Sequence, residues 1–92
     1  MDETRIAQEV ALYADKCNIT EEVVRIKSHV EQFTQAAATG LPQGRNLDFI
    51  VQELNREFNT IGSKSSDAGI TKMVIAGKVE IEKIREQIQN LE

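Results

Sequence analysis

Glu53 and Glu57 lie one helical turn apart, a spacing at which two carboxylates can share a divalent cation of the Mg²⁺ or Mn²⁺ type, which needs few protein ligands. A solvated helix face carries the same pair without any metal. Arg56 stands beside them and could bind a phosphate or pair with one of the glutamates. Asn55 and Asn59 are poor helix formers one turn apart, a placement that suggests side-chain hydrogen bonds to specific partners. Further on, Ser63, Lys64, Ser65 and Ser66 lead into a helix start, where free backbone N–H groups and the added lysine charge suit a phosphate. Turn and capping chemistry explains the same residues, and no Walker glycine pattern is present. His29 is the only histidine, the residue type suited to general acid or base work near neutral pH, although a histidine beside an apolar stripe is commonly structural.

These side chains must be positioned by helices. Ile6, Val10, Tyr13 and Cys17 recur at steps of four, three and four, with Ala7, Ala11 and Ala14 widening the stripe of a first helix. Cys17 reads as a small core residue. Thr20, followed by Glu21 and Glu22, reads as the N-cap of a second helix with the stripe Val23, Ile26, Val30, Phe33 and Ala37, closed by Gly40 and Pro42. The third spans roughly Asn46 to Ile61 and stops at Gly62. Its Leu47, Ile50, Val51, Leu54, Phe58 and Ile61 form one face, and Phe49 falls nearly opposite among polar groups, as a surface residue or a contact with another domain or subunit. The fourth starts at a cap from Ser66 or Asp67. It holds a four-three seam, Ile70, Val74, Gly77, Ile81, Ile84, Ile88 and Leu91, that wants a long partner within the chain or in another subunit. The expected fold is a single all-α domain of about four helices with a long C-terminal helix, open to intertwining in an oligomer.

The rest of the composition sets bounds. Ninety-two residues make one modest domain, and the single cysteine excludes an internal disulfide. Neither a leader nor a membrane-length apolar run is visible, so a soluble, cytoplasmic setting is expected. A formal charge of −4 argues, taken alone, against nucleic acid and requires any RNA role to rest on a local basic site, a metal or another domain.

Three stretches, RIAQEVALYADK from Arg5, IKSHVEQF from Ile26, and Gly44 to Ser66 with the ending EIEKIREQIQNLE, resemble the C-terminal region of the YicC/YloC-like endoribonucleases. The run LDFIVQELNREFNTIGSKSSD carries the most specific part of that resemblance. It implies the C-terminal domain of a metal-dependent enzyme that cuts single-stranded or structured RNA, preceded by an N-terminal domain, so that Met1 would begin a truncation. It also implies a homo-oligomer, a hexamer in the full-length protein. On matching positions it implies His29, Glu53, Arg56 and Glu57 for catalysis, with Glu53 and Glu57 holding Mn²⁺ or Mg²⁺, and Arg45, Asn55, Asn59, Ser63 and Lys64 for RNA. Gly69 and Gly77 depart from the family pattern, where larger helix formers are expected, and bring the regularity of the last helix into question. The competing reading is a non-catalytic module for oligomerisation or protein binding.

Overall fold

Apolar spacing and caps produce four helices in the computed structural model, which describes residues 2–40 and 44–90, excluding the side chains of 11, 12 and 14–17. They are α1 Glu3–Asn18, α2 Thr20–Ala38, α3 Gly44–Lys64 and α4 Ala68–Gln89, with no strand among the described residues. Asp2 starts α1 by accepting from the Thr4 backbone N–H at 3.0 Å. Asp67 rather than Ser66 caps α4, accepting from Ile70 N at 2.9 Å. Gly40 follows the end of α2 with φ +70°, the left-handed turn expected of it. The Cys17 side chain, Pro42 and Leu91 lie outside the described residues.

Two boundaries differ from the sequence expectation. Thr20 is the first helical residue of α2, and Ile19 takes the cap position with φ −105° and ψ 5°. Ile19 is buried against Ile61 and Val74, so the chain breaks where that side chain turns inward. Gly62 does not stop α3, which continues to Lys64. Glycine costs a helix about 1 kcal/mol but does not forbid it, and the extra turn delivers Lys64 to α2.

The helix α3 lies between α2 and α4 and packs against both. Its expected face, Leu47, Ile50, Val51, Leu54 and Ile61, is buried, with Phe58 partly so. The α4 seam meets it through Val74, Ile81 and Ile88, so this seam finds its partner inside the chain. On α2 the inward side is rotated from the expected stripe. Val30 and Ala37 are exposed, whereas Glu22, Val23, Ile26, His29, Phe33 and Ala36 turn inward. By contrast α1 makes few contacts, with α2 and, through the Asn18 carbonyl, with Lys64 of α3, leaving Ile6, Val10 and Tyr13 exposed on an elongated molecule of 59 × 19 × 16 Å.

Gly77 shows how α4 stays regular despite its glycines. A Cβ there would stand 2.7 Å from Phe58 Cε1 and Cζ, so the missing side chain is the space that the ring occupies. We expect Gly77→Ala to destabilise the domain by about 1 kcal/mol, the overpacking exceeding the gain in helix propensity. Adding Phe58→Leu should recover part of that loss in urea titrations; additive losses would show that the ring is not the cause.

Candidate functional site

The deepest polar feature lies where α2 meets α3. Glu22 is only 1% exposed and Glu57 is also buried, although both carry carboxylates. Loss of water from a carboxylate must be offset by donors and opposite charge. Lys64 Nζ donates to Glu22 Oε1 at 2.7 Å, and Arg25 Nε donates to Glu57 Oε1 at 2.8 Å. Arg25 also stands 3.6 Å from Glu22 and 3.8 Å from Glu21, bridging both carboxylates from the partly exposed side. Lys64 reaches the Asn18 carbonyl at 3.5 Å, tying the end of α1 into the same cluster. The hydrogen bond from Lys64 holds the Glu22 carboxyl below its usual 4.5, against the opposing effect of burial. The bond to Glu57 raises Arg25 further above its already high value.

These pairs fix an antiparallel register, Arg25 opposite Glu57 and Glu22 opposite Lys64. One turn farther along, the same register puts His29 of α2 at the level of Glu53 of α3. Both are half-buried, and His29 Nδ1 is buried without a hydrogen-bond partner. His29, Glu53 and Glu57 therefore share one seam. Among the described residues no group of three or more His, Cys, Asp or Glu side chains is gathered as a metal cage.

The other expected site residues go elsewhere, because α3 turns 100° per residue. Arg56 and Ser63 are exposed away from both neighbouring helices, Ser63 donating to its own helix at Thr60 O. Asn55 and Asn59 face α4, where Lys78 Nζ donates to Asn59 Oδ1 at 2.6 Å. Arg45 lies at the far end of the same groove, near Arg85. Lys64, expected at a phosphate site before α4, is instead directed to Glu22, and Asp67 places a carboxylate at that helix start. Phe49 is 61% exposed, on the outer side as expected.

Sequence reasoning passed over Glu22 and Arg25 as centres of this arrangement. Their i, i+3 spacing was a visible signal, but the partners that matter are 32 and 42 residues away.

A family model described as Endoribonuclease YicC-like, C-terminal, matches residues 1–92. A relative named "Probable endoribonuclease YicC" from Clostridioides difficile (strain 630) is 60% identical over 92 residues, all of this chain and 31% of that protein. Another of the same name from Haemophilus influenzae (strain ATCC 51907 / DSM 11121 / KW20 / Rd) is 48% identical, again over the whole chain and 32% of its own length. The chain thus spans about a third of the curated relatives it matches.

The depressed carboxyl gives a pH-dependent stability with a defined sign. The Glu22 contribution is fully present above about 4.5 and is lost as pH falls through its lower folded value. Lys64→Met should cost about 2 kcal/mol at neutral pH, below the figure for a fully buried pair because Lys64 is part-exposed. Its gap from the unsubstituted chain should narrow below pH 4.5 in thermal melts. A gap independent of pH would show that Glu22 is not the group involved.

Proposed function

The chain belongs to the C-terminal family of YicC-like endoribonucleases, and from that membership we propose that it is the RNA-contacting, catalytic part of a larger metal-dependent endoribonuclease. The match along all 92 residues carries this reading. Geometry supports it at the α2–α3 seam, where one turn of each helix presents an imidazole and a carboxylate beside a fixed guanidinium–carboxylate pair.

In this reading His29 moves the proton between the attacking or leaving oxygen and solvent, since its Nδ1 is uncommitted and its seam neighbours are carboxylates. Glu53 orients the attacking group. Arg25 holds Glu57 in place, which makes Glu57 a fixed negative group in the seam. Arg56, exposed one turn before Thr60, is free to turn toward phosphate charge. The residues fit a Mg²⁺ or Mn²⁺ ion only as a site of one or two carboxylates, Glu53 and Glu57, completed by water and substrate oxygens. Such an ion, when bound, supplies Lewis-acid polarisation of the phosphate.

The enzyme would act in the cytoplasm as a homo-oligomer, with its N-terminal domain and RNA as further partners. The exposed α1 stripe of Ile6, Val10 and Tyr13 supports assembly through α1. It also favours the second reading, a module that only assembles while another domain cuts.

In the full-length protein, Glu53→Gln and His29→Gln should each lower RNA cleavage by about 10²–10⁴-fold with assembly unchanged, and EDTA should abolish it. Undiminished cleavage in both variants would leave the assembly reading in its place.

A further inference from the structure

The α3–α4 side of the molecule carries a second set of matched polar stripes. On α3, Arg45, Asp48, Gln52, Asn55 and Asn59 recur at alternating steps of three and four, flanking the buried face. On α4, Lys78, Glu82, Arg85 and Gln89 repeat the same spacing. The Lys78–Asn59 hydrogen bond and the approach of Arg45 to Arg85 set the two stripes antiparallel, on either side of a groove. Two recesses of about 260 and 240 Å³ make up this groove and meet at Arg85. From Asn59 to Arg45 it runs about 20 Å at 1.5 Å per residue.

Its charge is opposite in sign to that of the chain. Arg45, Lys78 and Arg85 stand against Asp48 and Glu82, in a molecule whose formal charge is −4. The cations are also available. Lys78 donates to a neutral amide, which leaves its charge uncompensated, and Arg85 reaches Glu82 only at 4.0 Å on an exposed surface. Asp48 accepts from the neutral Gln52 amide at 2.9 Å and likewise keeps its charge, so the groove holds an excess of one positive charge. The floor is formed by Val51, Ile81 and Ile88, already buried in the core, so no apolar anchor is offered to a peptide helix. Amides and spaced cations over an apolar floor suit a flexible polyanion whose sugars also hydrogen-bond.

We propose that the α3–α4 groove is the track along which single-stranded RNA lies, with Lys78 and Arg85 as its phosphate contacts and Asn55 between them reaching ribose hydroxyls or base edges. This rests on the endoribonuclease reading and adds to it a surface separate from the α2–α3 seam. Cleavage would occur across α3 from the track, so the strand must leave the groove at one end to reach His29 and Glu53. The Asn59 end is the nearer to Glu57 in sequence.

The test uses the full-length protein and a fluorescein-labelled single-stranded RNA of twelve nucleotides, with binding measured by anisotropy in EDTA between about 50 and 200 mM salt, and cleavage measured separately with Mn²⁺. The double variant Lys78→Gln, Arg85→Gln should bind at least tenfold more weakly at low salt. The slope of log affinity against log salt should fall by about 1.4, at about 0.7 per lost phosphate contact. Lys83→Gln removes the same charge from an exposed α4 position paired with Glu80, and should change affinity less than twofold. Helicity and melting temperature of each variant check folding. Equal affinity and slope in the double variant would overturn the track while leaving the enzyme reading intact, as would an equal loss in Lys83→Gln or the loss of a protein partner with RNA binding unchanged. Absence of both RNA binding and cleavage in the unsubstituted protein would overturn the enzyme reading and the track with it.

Discussion

Glu22 can lose its water because Lys64 stands 2.7 Å away, and Lys64 is there because α3 continues through Gly62 for one more turn. That dependence ties two remote pieces of chain together: the α1–α2 junction around Ile19 and the end of α3. Apolar packing between α2 and α3 leaves their relative sliding weakly determined, since one leucine or isoleucine seat resembles the next. A buried carboxylate with a single lysine partner does not tolerate a shift of one turn. Arg25 and Glu57 repeat the constraint a turn deeper, so the level at which His29 faces Glu53 follows from charge pairing more than from hydrophobic contact.

Being the middle helix, α3 has two working flanks and one free side. Its apolar residues occupy the sector shared by α2 and α4, and the polar residues at the edges of that sector are divided between the neighbours. Glutamates fall toward α2 and amides toward α4. The division separates the histidine and glutamates of one seam from the basic and amide groups of the other by the diameter of one helix. A single short segment thereby borders two surfaces of different charge, one of them opposite in sign to the chain as a whole.

Much of this was legible in the sequence where the physics is local. The α3 face and the α4 seam were readable because burial on one side imposes a period, and a cap at Ser66 or Asp67 because such a side chain satisfies a donor three residues on, a choice the structure makes in favour of Asp67. The inward side of α2 was misread because Glu22 and His29 replace apolar residues on it, and a hydrophobic pattern assigns such positions to solvent. Gly62 and Gly77 were misread for a related reason. Propensity counts the cost of a glycine, while the gain, room for the Phe58 ring against Gly77, lies on another helix. Lys64 looked like a phosphate ligand because its partner is 42 residues distant.

Residues drawn together by one sequence run need not make one site. The stretch from Arg45 to Lys64 is dense in polar side chains, yet a helix distributes consecutive residues around its axis, so density in sequence becomes breadth in space. What joins them again is the neighbouring helix: α2 adds His29 and Arg25 to the glutamates, and α4 adds Lys78 and Arg85 to the amides. Both sets of α4 residues, the apolar seam and the basic stripe, come from one heptad rhythm, because positions flanking a seam repeat at its spacing. The seam that holds α4 in place therefore also fixes where its cations stand, and the stability of the α3–α4 packing and the shape of the groove are set by the same contacts.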